Sequence, residues 1–210
     1  IVYKAWLDDS DYNSDKIQKI LDYFNSICSA KLEDNYFSKV YGGKYFSFND
    51  SRKIGYIRDY IEEHKTDFSE REYFILLTIL MYAVDKIANT VGHFEYFLKR
   101  QPIDSNFKLE PLDLSLSVAG QIYNEDANII ANNIKADVVY IDPPYNARQY
   151  INFYHVLENL ARWNKPTEFE GNSMKFKRDE LKSGYSKSEA PILFKNLIHT
   201  LNLSLIHISE

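Results

Sequence analysis

Apolar residues recur at helical spacing through most of the first hundred positions of the chain. Such stripes run over residues 14–27, 49–64 and 69–89, and each predicts a helix with one buried face. The third stripe opens on Ser69-Glu70-Arg71-Glu72, where a serine precedes a glutamate by three positions, the pattern of a helix capping box. Ser14 is the expected N-cap of the first stripe. The first half of the chain therefore predicts a helical region.

The hydrophobic period changes in the second half of the chain. Residues 121–123 and 138–141 are short runs with apolar β-branched and aromatic side chains, and both predict strands, while residues 127–134 between them predict a helix. A strand, a helix and a strand in succession are typical of a parallel α/β sheet. Helices are also expected over residues 150–163 and 190–202.

This change of period divides the chain into two parts. We expect a helical region over residues 1–111 and a partial α/β domain over residues 112–202. Two stretches lack a clear period, the aromatic and glycine-bearing residues 31–48 and the polar residues 165–188, and both predict loops. The basic run 175–187 inside the second loop fits a phosphate-contacting loop and a solvated loop equally well.

Composition places the chain among folded proteins. Hydrophobic residues make up 45% of the chain and charged residues 26%, a balance unlike that of disordered proteins. No apolar run approaches the roughly 20 residues that span a bilayer, and the single cysteine cannot form an internal disulfide, so a cytoplasmic protein is expected. No histidines lie at ligand spacing, so no metal site is expected. The formal net charge of −5 counts mildly against nucleic-acid binding, although the local distribution of charge matters more.

Both ends suggest a piece of a longer protein. The first residue is Ile1 rather than methionine, and residues 203–210, LSLIHISE, resemble the translation of a transposase adapter used in sequencing libraries. We expect residues 203–210 to be an artefact and the natural protein to continue differently after Asn202.

The candidate chemistry lies at Asp142-Pro143-Pro144-Tyr145, directly after the second predicted strand. In open α/β sheets ligands bind beyond the carboxyl ends of strands, and two prolines make a stiff turn there. A carboxylate and a backbone carbonyl can accept the two N–H bonds of adenine's weakly nucleophilic amine, and the tyrosine can stack on a base flipped out of the duplex. These four residues are therefore the candidate catalytic residues. The alternative is a rigid turn in which Asp142 caps a helix.

The stretch VVYIDPPYNARQYINFYHVLENLARW, residues 138–163, resembles the catalytic region of adenine-specific DNA methyltransferases of the Dam-like order, especially the FokI-methylase branch. In that family DPPY is the catalytic tetrad and NxRQY a typical continuation. The resemblance implies a partial Rossmann-like methyltransferase sheet that uses S-adenosylmethionine, preceded by a helical region for DNA target recognition. It also implies substrate contacts from a set of residues after the strand: Tyr145, Asn146, Arg148 and Gln149.

The upstream segment YNEDA, residues 123–127, resembles the family's segment whose acidic residue contacts the adenine ring of the cofactor. The resemblance makes Asp126 the cofactor-binding candidate, with Glu125 second, and Asp142 is expected to contact the cofactor as well. The segment Tyr41-Gly42-Gly43-Lys44 faintly resembles the opening GGK of Dam-type enzymes, but its position favours a loop.

The resemblance has consequences for partners and activity. Double-stranded DNA is the implied substrate, and a cognate restriction endonuclease is an implied partner. The family's glycine-rich cofactor loop and the acidic residue after its second strand are not found in this sequence, so we expect the chain by itself to be inactive. Two alternatives remain open: a catalytically inactive DNA-binding module and an RNA adenine methyltransferase.

Overall fold

A computed structural model describes residues 1–115, 119–144 and 147–201. The chain forms two compact units. The first, called the helical unit here, comprises Ile1–Ile122 and Phe153–Lys177, and the second, called the motif unit, comprises Tyr123–Asn152 and Arg178–Glu210. The domain division predicted after residue 111 stays a prediction.

The helical unit is built mainly from helices that precede residue 90. They are α1 (Val2–Leu7), α2 (Ser14–Ser26), α3 (Tyr36–Tyr41), α4 (Phe48–Glu63) and α5 (Glu70–Ile87), with short 3₁₀ turns at Ser29–Lys31 and Lys65–Asp67. The motif unit contributes α6 (Ala127–Ile130) and α8 (Ala190–Leu201), and α7 (Tyr150–Arg162) begins in the motif unit and continues in the helical unit.

The core of the helical unit includes the buried faces of α4 and α5, together with side chains of α1, α2, α3 and α7. The buried faces of α4 and α5 carry apolar residues from which these helices were predicted, among them Ile54, Ile57, Leu77 and Leu80. This burial stabilises the folded helical unit, because each fully buried aliphatic side chain contributes roughly 1.5–3 kcal/mol. The helices predicted over 14–27, 49–64 and 69–89 are confirmed to within two residues at each end.

Capping explains where these helices begin. The predicted capping box of α5 is confirmed, since the Ser69 side chain accepts from the Glu72 backbone N–H and the Glu72 side chain accepts from the Ser69 backbone N–H. The N-cap of α2 is Asn13 rather than the predicted Ser14, because the Asn13 side chain accepts from Lys16 N at 2.9 Å. The capping prediction for α2 was therefore wrong by one residue.

Glu72 also joins α5 to the start of α2. Its carboxylate accepts from Lys16 Nζ at 2.6 Å and from Asn13 N at 3.1 Å. Burial alone would raise the pKa of Glu72, but the hydrogen bonds from Lys16, Ser69 and Asn13 outweigh it and lower the pKa below its ordinary value.

We predict that Glu72→Gln removes an acid-sensitive part of the stability. Because the folded-state pKa is lowered, this stability is present above the ordinary carboxyl pKa and is lost as the pH falls through the folded-state value. At neutral pH the substitution should lower the free energy of unfolding by about 1–2 kcal/mol, and this difference from wild type should become smaller at acid pH. Urea denaturation at several pH values measures it. Glu70→Gln, two positions away and largely exposed, should cost little at any pH, and a constant cost for Glu72→Gln would contradict the assignment.

Arg58 is the largest fully buried side chain of the helical unit. Its guanidinium donates from Nε to the Leu160 carbonyl at 2.7 Å and from Nη2 to the Ala161 carbonyl at 3.3 Å, at the last turn of α7. It also donates to Glu62 at 2.8 Å and lies 5.2 Å from the Trp163 ring. Arg58 therefore satisfies carbonyls that the end of a helix leaves without intrahelical partners.

Two regions differ from the sequence predictions. Residues 31–48, predicted as a loop, contain α3, whose N-cap Asn35 forms a capping box with Ser38. Residues 121–123 and 138–141, predicted as strands, are not in strands. In the described ranges the one sheet is an antiparallel hairpin of β1 (Phe169–Glu170) and β2 (Lys175–Phe176), within the predicted loop 165–188.

The missing strands have a physical reason. A strand is stable only beside other strands, and the described ranges provide none beyond the short hairpin. Val138 and Tyr140 are accordingly 85% and 87% exposed. The Rossmann-like sheet therefore stays a prediction. No helix within the described ranges is both long and apolar enough to cross a membrane.

Candidate active site

The segment YNEDA leads into α6, and Asp126 is the residue that starts this helix. Its carboxylate accepts from Asn128 N at 2.8 Å, as an N-cap does. The helix ends at Ile130 and is followed by a turn over residues 131–133, so the helix predicted over 127–134 is shorter than expected. The Asn128 side chain donates from Nδ2 to the Leu193 carbonyl at 2.9 Å and so connects α6 with α8.

A cavity of about 460 Å³ lies within the motif unit. Its wall combines residues of the YNEDA segment and of α6 with residues of α8 and of the run that ends at Asp142-Pro143-Pro144, called the DPP turn here. The lining residues are Tyr123, Glu125, Ala127, Ile130, Ala131, Ile134, Val139, Tyr140, Ile141, Asp142, Pro143, Pro144, Tyr185, Leu197 and Leu201. The fold thus brings together two segments that the sequence analysis singled out separately.

The candidate catalytic residues meet at this cavity as far as they are described. Asp142, Pro143 and Pro144 line it, with the Asp142 side chain exposed and both prolines half-buried. Tyr145 and Asn146 lie outside the described residues. The cavity wall is mostly apolar and aromatic, and the exposed Asp142 carboxylate provides a hydrogen-bond acceptor there.

The two acidic cofactor candidates are placed differently. Glu125 lines the cavity, whereas the carboxylate of Asp126 holds the N-terminus of α6. From the sequence, Asp126 is the first candidate. The structure places Glu125, the second candidate, at the wall that also carries Asp142, and it places Asp126 where it fixes the helix beside that wall.

Gln149, a predicted substrate contact, is buried and bonded at both ends of its carboxamide. Nε2 donates to the Ser183 carbonyl at 3.1 Å, and Oε1 accepts from Ser183 N at 2.7 Å. Arg148, another of the predicted contacts, has an exposed side chain, and its backbone carbonyl accepts from Ser186 Oγ at 3.4 Å. These bonds connect the turn 183–186 to the residues that follow the candidate catalytic tetrad.

The turn carries a cavity residue that sequence analysis missed. Tyr185 lies in the stretch predicted as a loop, yet it lines the cavity and its hydroxyl donates to Asn128 Oδ1 at 2.5 Å. Burial raises the pKa of Tyr185 above its ordinary value, and the negative charge of Asp126 adds to the effect. No local pattern marks this tyrosine, because its position depends on bonds between residues 34 positions apart.

Part of the basic run is already paired within its own unit. Lys182 bonds to Asp179 at 2.6 Å, and Arg178 Nε donates to Asn152 Oδ1 at 2.7 Å. In the helical unit Lys175 lies 3.9 Å from Glu95. The described ranges contain no group of three or more histidine, cysteine, aspartate or glutamate side chains that could hold a metal ion.

Comparison with known proteins identifies the family. The family model for D12 class N6 adenine-specific DNA methyltransferases matches residues 1–207. The chain belongs to this family. The resemblance drawn from DPPY and NxRQY is thereby confirmed, and the DPP turn at the cavity is part of a D12 class methyltransferase sequence.

Several curated methyltransferases are similar to the chain over most of its length. Modification methylase StsI of Streptococcus sanguinis is 40% identical over 171 residues, which are 79% of this chain and 26% of StsI. Type II methyltransferase M.NlaIII of Neisseria lactamica is 36% identical over 172 residues, 79% of this chain and 51% of M.NlaIII. Type II methyltransferase M.FokI of Planomicrobium okeanokoites is 36% identical over 171 residues, 79% of this chain and 26% of M.FokI. The chain thus spans a quarter to a half of the length of these relatives, and no solved structure matches it.

For this D12 class chain we predict that Gln149→Ala loosens the turn 183–186. Truncation removes two hydrogen bonds to buried or half-buried backbone groups, at a cost of about 1–3 kcal/mol to the local structure. Trypsin should therefore cleave faster after Lys182 and Lys187, which flank the turn. Timed digestion followed by mass spectrometry measures it. Gln18→Ala, which removes an exposed glutamine from α2, is the control, and equal cleavage rates in both variants would contradict the role given to Gln149.

Proposed function

We propose that this chain is the catalytic-motif part of a DNA adenine N6-methyltransferase that uses S-adenosylmethionine and acts on double-stranded DNA. One observation carries the proposal: a single cavity is lined by both the Asp142-Pro143-Pro144 turn and the YNEDA segment. The family assignment supports it, since D12 class members are adenine-specific DNA methyltransferases by description.

Activation of the adenine amine that accepts the methyl group is assigned to the DPP turn. The carboxylate of Asp142 and the backbone carbonyl of Pro143 would each accept one N–H of the adenine amine, which polarises the nitrogen and aims its lone pair. The prolines keep the turn stiff, so little reorganisation is needed when charge develops on the nitrogen. Tyr145 would stack on the flipped base.

The residues beside the turn are assigned to substrate binding. Asn146 and Arg148 would contact the nucleotide next to the base, and Arg148 has the exposed side chain that such a contact needs. Gln149 would serve the same site by fixing the segment through Ser183. The helical unit would read the target sequence.

The cavity suits a purine nucleoside. Its volume of about 460 Å³ falls within the roughly 300–1,000 Å³ of small-ligand sites. Aromatic and aliphatic walls suit the faces of a flat ring, and the Glu125 carboxylate can accept from an exocyclic amine. Bound S-adenosylmethionine would supply the methyl group on its sulfonium sulfur. In this assignment Glu125 contacts the adenosine, Asp126 fixes α6 beside it, and Asp142 lies where both ligands meet.

The biological setting we infer is a type II restriction–modification system. Both M.NlaIII and M.FokI are named type II methyltransferases, and StsI is named a modification methylase. A cognate restriction endonuclease with the same target sequence is the partner that this setting implies.

Methyl transfer in cells tests the proposed function. The intact gene would be expressed in a bacterial host whose DNA lacks methylated adenine, and N6-methyladenine would be quantified in digested DNA and RNA by mass spectrometry. Methylated adenine in DNA is the expected result. Methylation confined to RNA would mean that RNA, not DNA, is the substrate. Folded protein that methylates neither nucleic acid would contradict the proposal.

A further inference from the structure

Tyr185 is a cavity residue to which the methyl-transfer assignment gives no individual role. Tyr185 lines the same cavity as Glu125 and Asp142. Its hydroxyl is already hydrogen-bonded within the protein: it donates to Asn128 Oδ1 at 2.5 Å, and the Leu193 carbonyl oxygen lies 3.5 Å away. What this tyrosine offers to the cavity is therefore its aromatic ring.

The ring is held in place through its own turn. The backbone N–H of Tyr185 donates to Ser183 Oγ at 3.2 Å, and the backbone of Ser183 is bonded at two points to Gln149. The next residue, Ser186, is buried and donates to the Arg148 carbonyl. A ring fixed before a ligand arrives loses little conformational entropy on binding, which is the property of a preorganised binding surface.

The surroundings of the ring indicate which ligand it suits. Asn128, which accepts the Tyr185 hydrogen bond, is in α6, two residues after Asp126 and three after Glu125. A flat aromatic face and a carboxylate acceptor are therefore offered by neighbouring parts of one wall. An adenine ring matches both, because it stacks on aromatic side chains and donates hydrogen bonds from its amine.

We propose that Tyr185 is a binding residue for the adenine ring of S-adenosylmethionine, on which its fixed ring stacks while Glu125 accepts from the amine. This inference rests on the proposed function, because it takes the cofactor's adenosine as the ligand of the cavity. The adenine of the target DNA offers the same chemistry, and the experiment separates the two sources.

Ligand binding to Tyr185 variants of the full-length protein tests the inference. Adenosine and S-adenosylhomocysteine would be titrated by calorimetry without DNA into wild type, Tyr185→Phe and Tyr185→Leu. Aromatic–base stacking strengthens binding by a factor of about 5–150. Tyr185→Leu should therefore lower the affinity for both ligands by a factor within that range. Tyr185→Phe keeps the ring and should retain most of the affinity. Tyr82→Leu, which removes an exposed tyrosine from α5, is the control and should bind as wild type does.

The outcomes separate the inference from the proposed function. A lower affinity of Tyr185→Leu for adenosine would support the inference even if wild type methylated no DNA. Absence of methylation by wild type would contradict only the proposed function. Unchanged affinity for both ligands, in a protein whose wild type methylates DNA, would overturn the inference alone. If the Leu variant kept its affinity for both ligands but required more DNA for half-maximal methylation, the ring would belong to the target base, and the assignment to the cofactor would be wrong.

Discussion

Asp142→Ala is expected to lower the rate of adenine methylation by roughly 10²–10³-fold, the loss typical of removing one preorganised group that stabilises charge in a transition state. Asp142 lines the cavity beside Pro143, and no other side chain of the DPP turn can accept a hydrogen bond from the target amine. Single-turnover methyl transfer to DNA by the protein expressed from the intact gene, at saturating cofactor, measures the effect on the chemical step.

Two further variants show whether the loss is chemical or structural. Asp142→Asn keeps one oxygen acceptor without the charge and should retain an intermediate rate. Asp137→Ala removes an exposed aspartate five positions upstream that does not line the cavity, and it should methylate as wild type does. The Asp142 side chain is exposed, so Asp142→Ala should unfold within about 0.5 kcal/mol of wild type. A full methylation rate in Asp142→Ala would remove this carboxylate from the mechanism.

The helices of the first half could be predicted because their signals are local. The stripe of α5 and its capping box at Ser69 lie within a few residues of each other, and the same residues form the helix in the structure. Helix α3 was missed because it spans only six residues, too few for a hydrophobic period. Its capping box also places Ser38 at the third helical position, where the usual sequence pattern has glutamate or glutamine.

The candidate site was predictable only in part, for a related reason. Residues of the DPP turn carry chemistry that can be recognised from their types alone, and the structure places Asp142 at the cavity. Which of Glu125 and Asp126 lines the cavity could not be predicted, because the start of α6 gives these neighbouring side chains different directions. Tyr185 reaches the cavity through the Gln149–Ser183 bonds, a tertiary contact without a local sequence signal.

Arg58→Ala is expected to destabilise the helical unit by about 3 kcal/mol, the lower part of the range for breaking a buried ionic network. The side chain is 0% exposed, and its removal leaves the Leu160 and Ala161 carbonyls without their donor at the end of α7. Glu62 remains partly exposed and can be hydrated again, so the full penalty of an isolated buried charge does not apply. Loss of the contact with the Trp163 ring adds to the cost.

Tryptophan fluorescence during urea denaturation measures this loss in the appropriate unit, because Trp6 and Trp163 are the two tryptophans of the chain and both lie in the helical unit. Arg162→Ala is the matched control: it removes an arginine from the same end of α7, but this side chain is 43% exposed and pairs with Glu158 on the surface. Its cost should stay below about 1 kcal/mol. Arg58→Lys keeps the charge but not the planar fork, so it should fall between the two. Equal midpoints for Arg58→Ala and Arg162→Ala would mean that the buried guanidinium does not hold the end of α7.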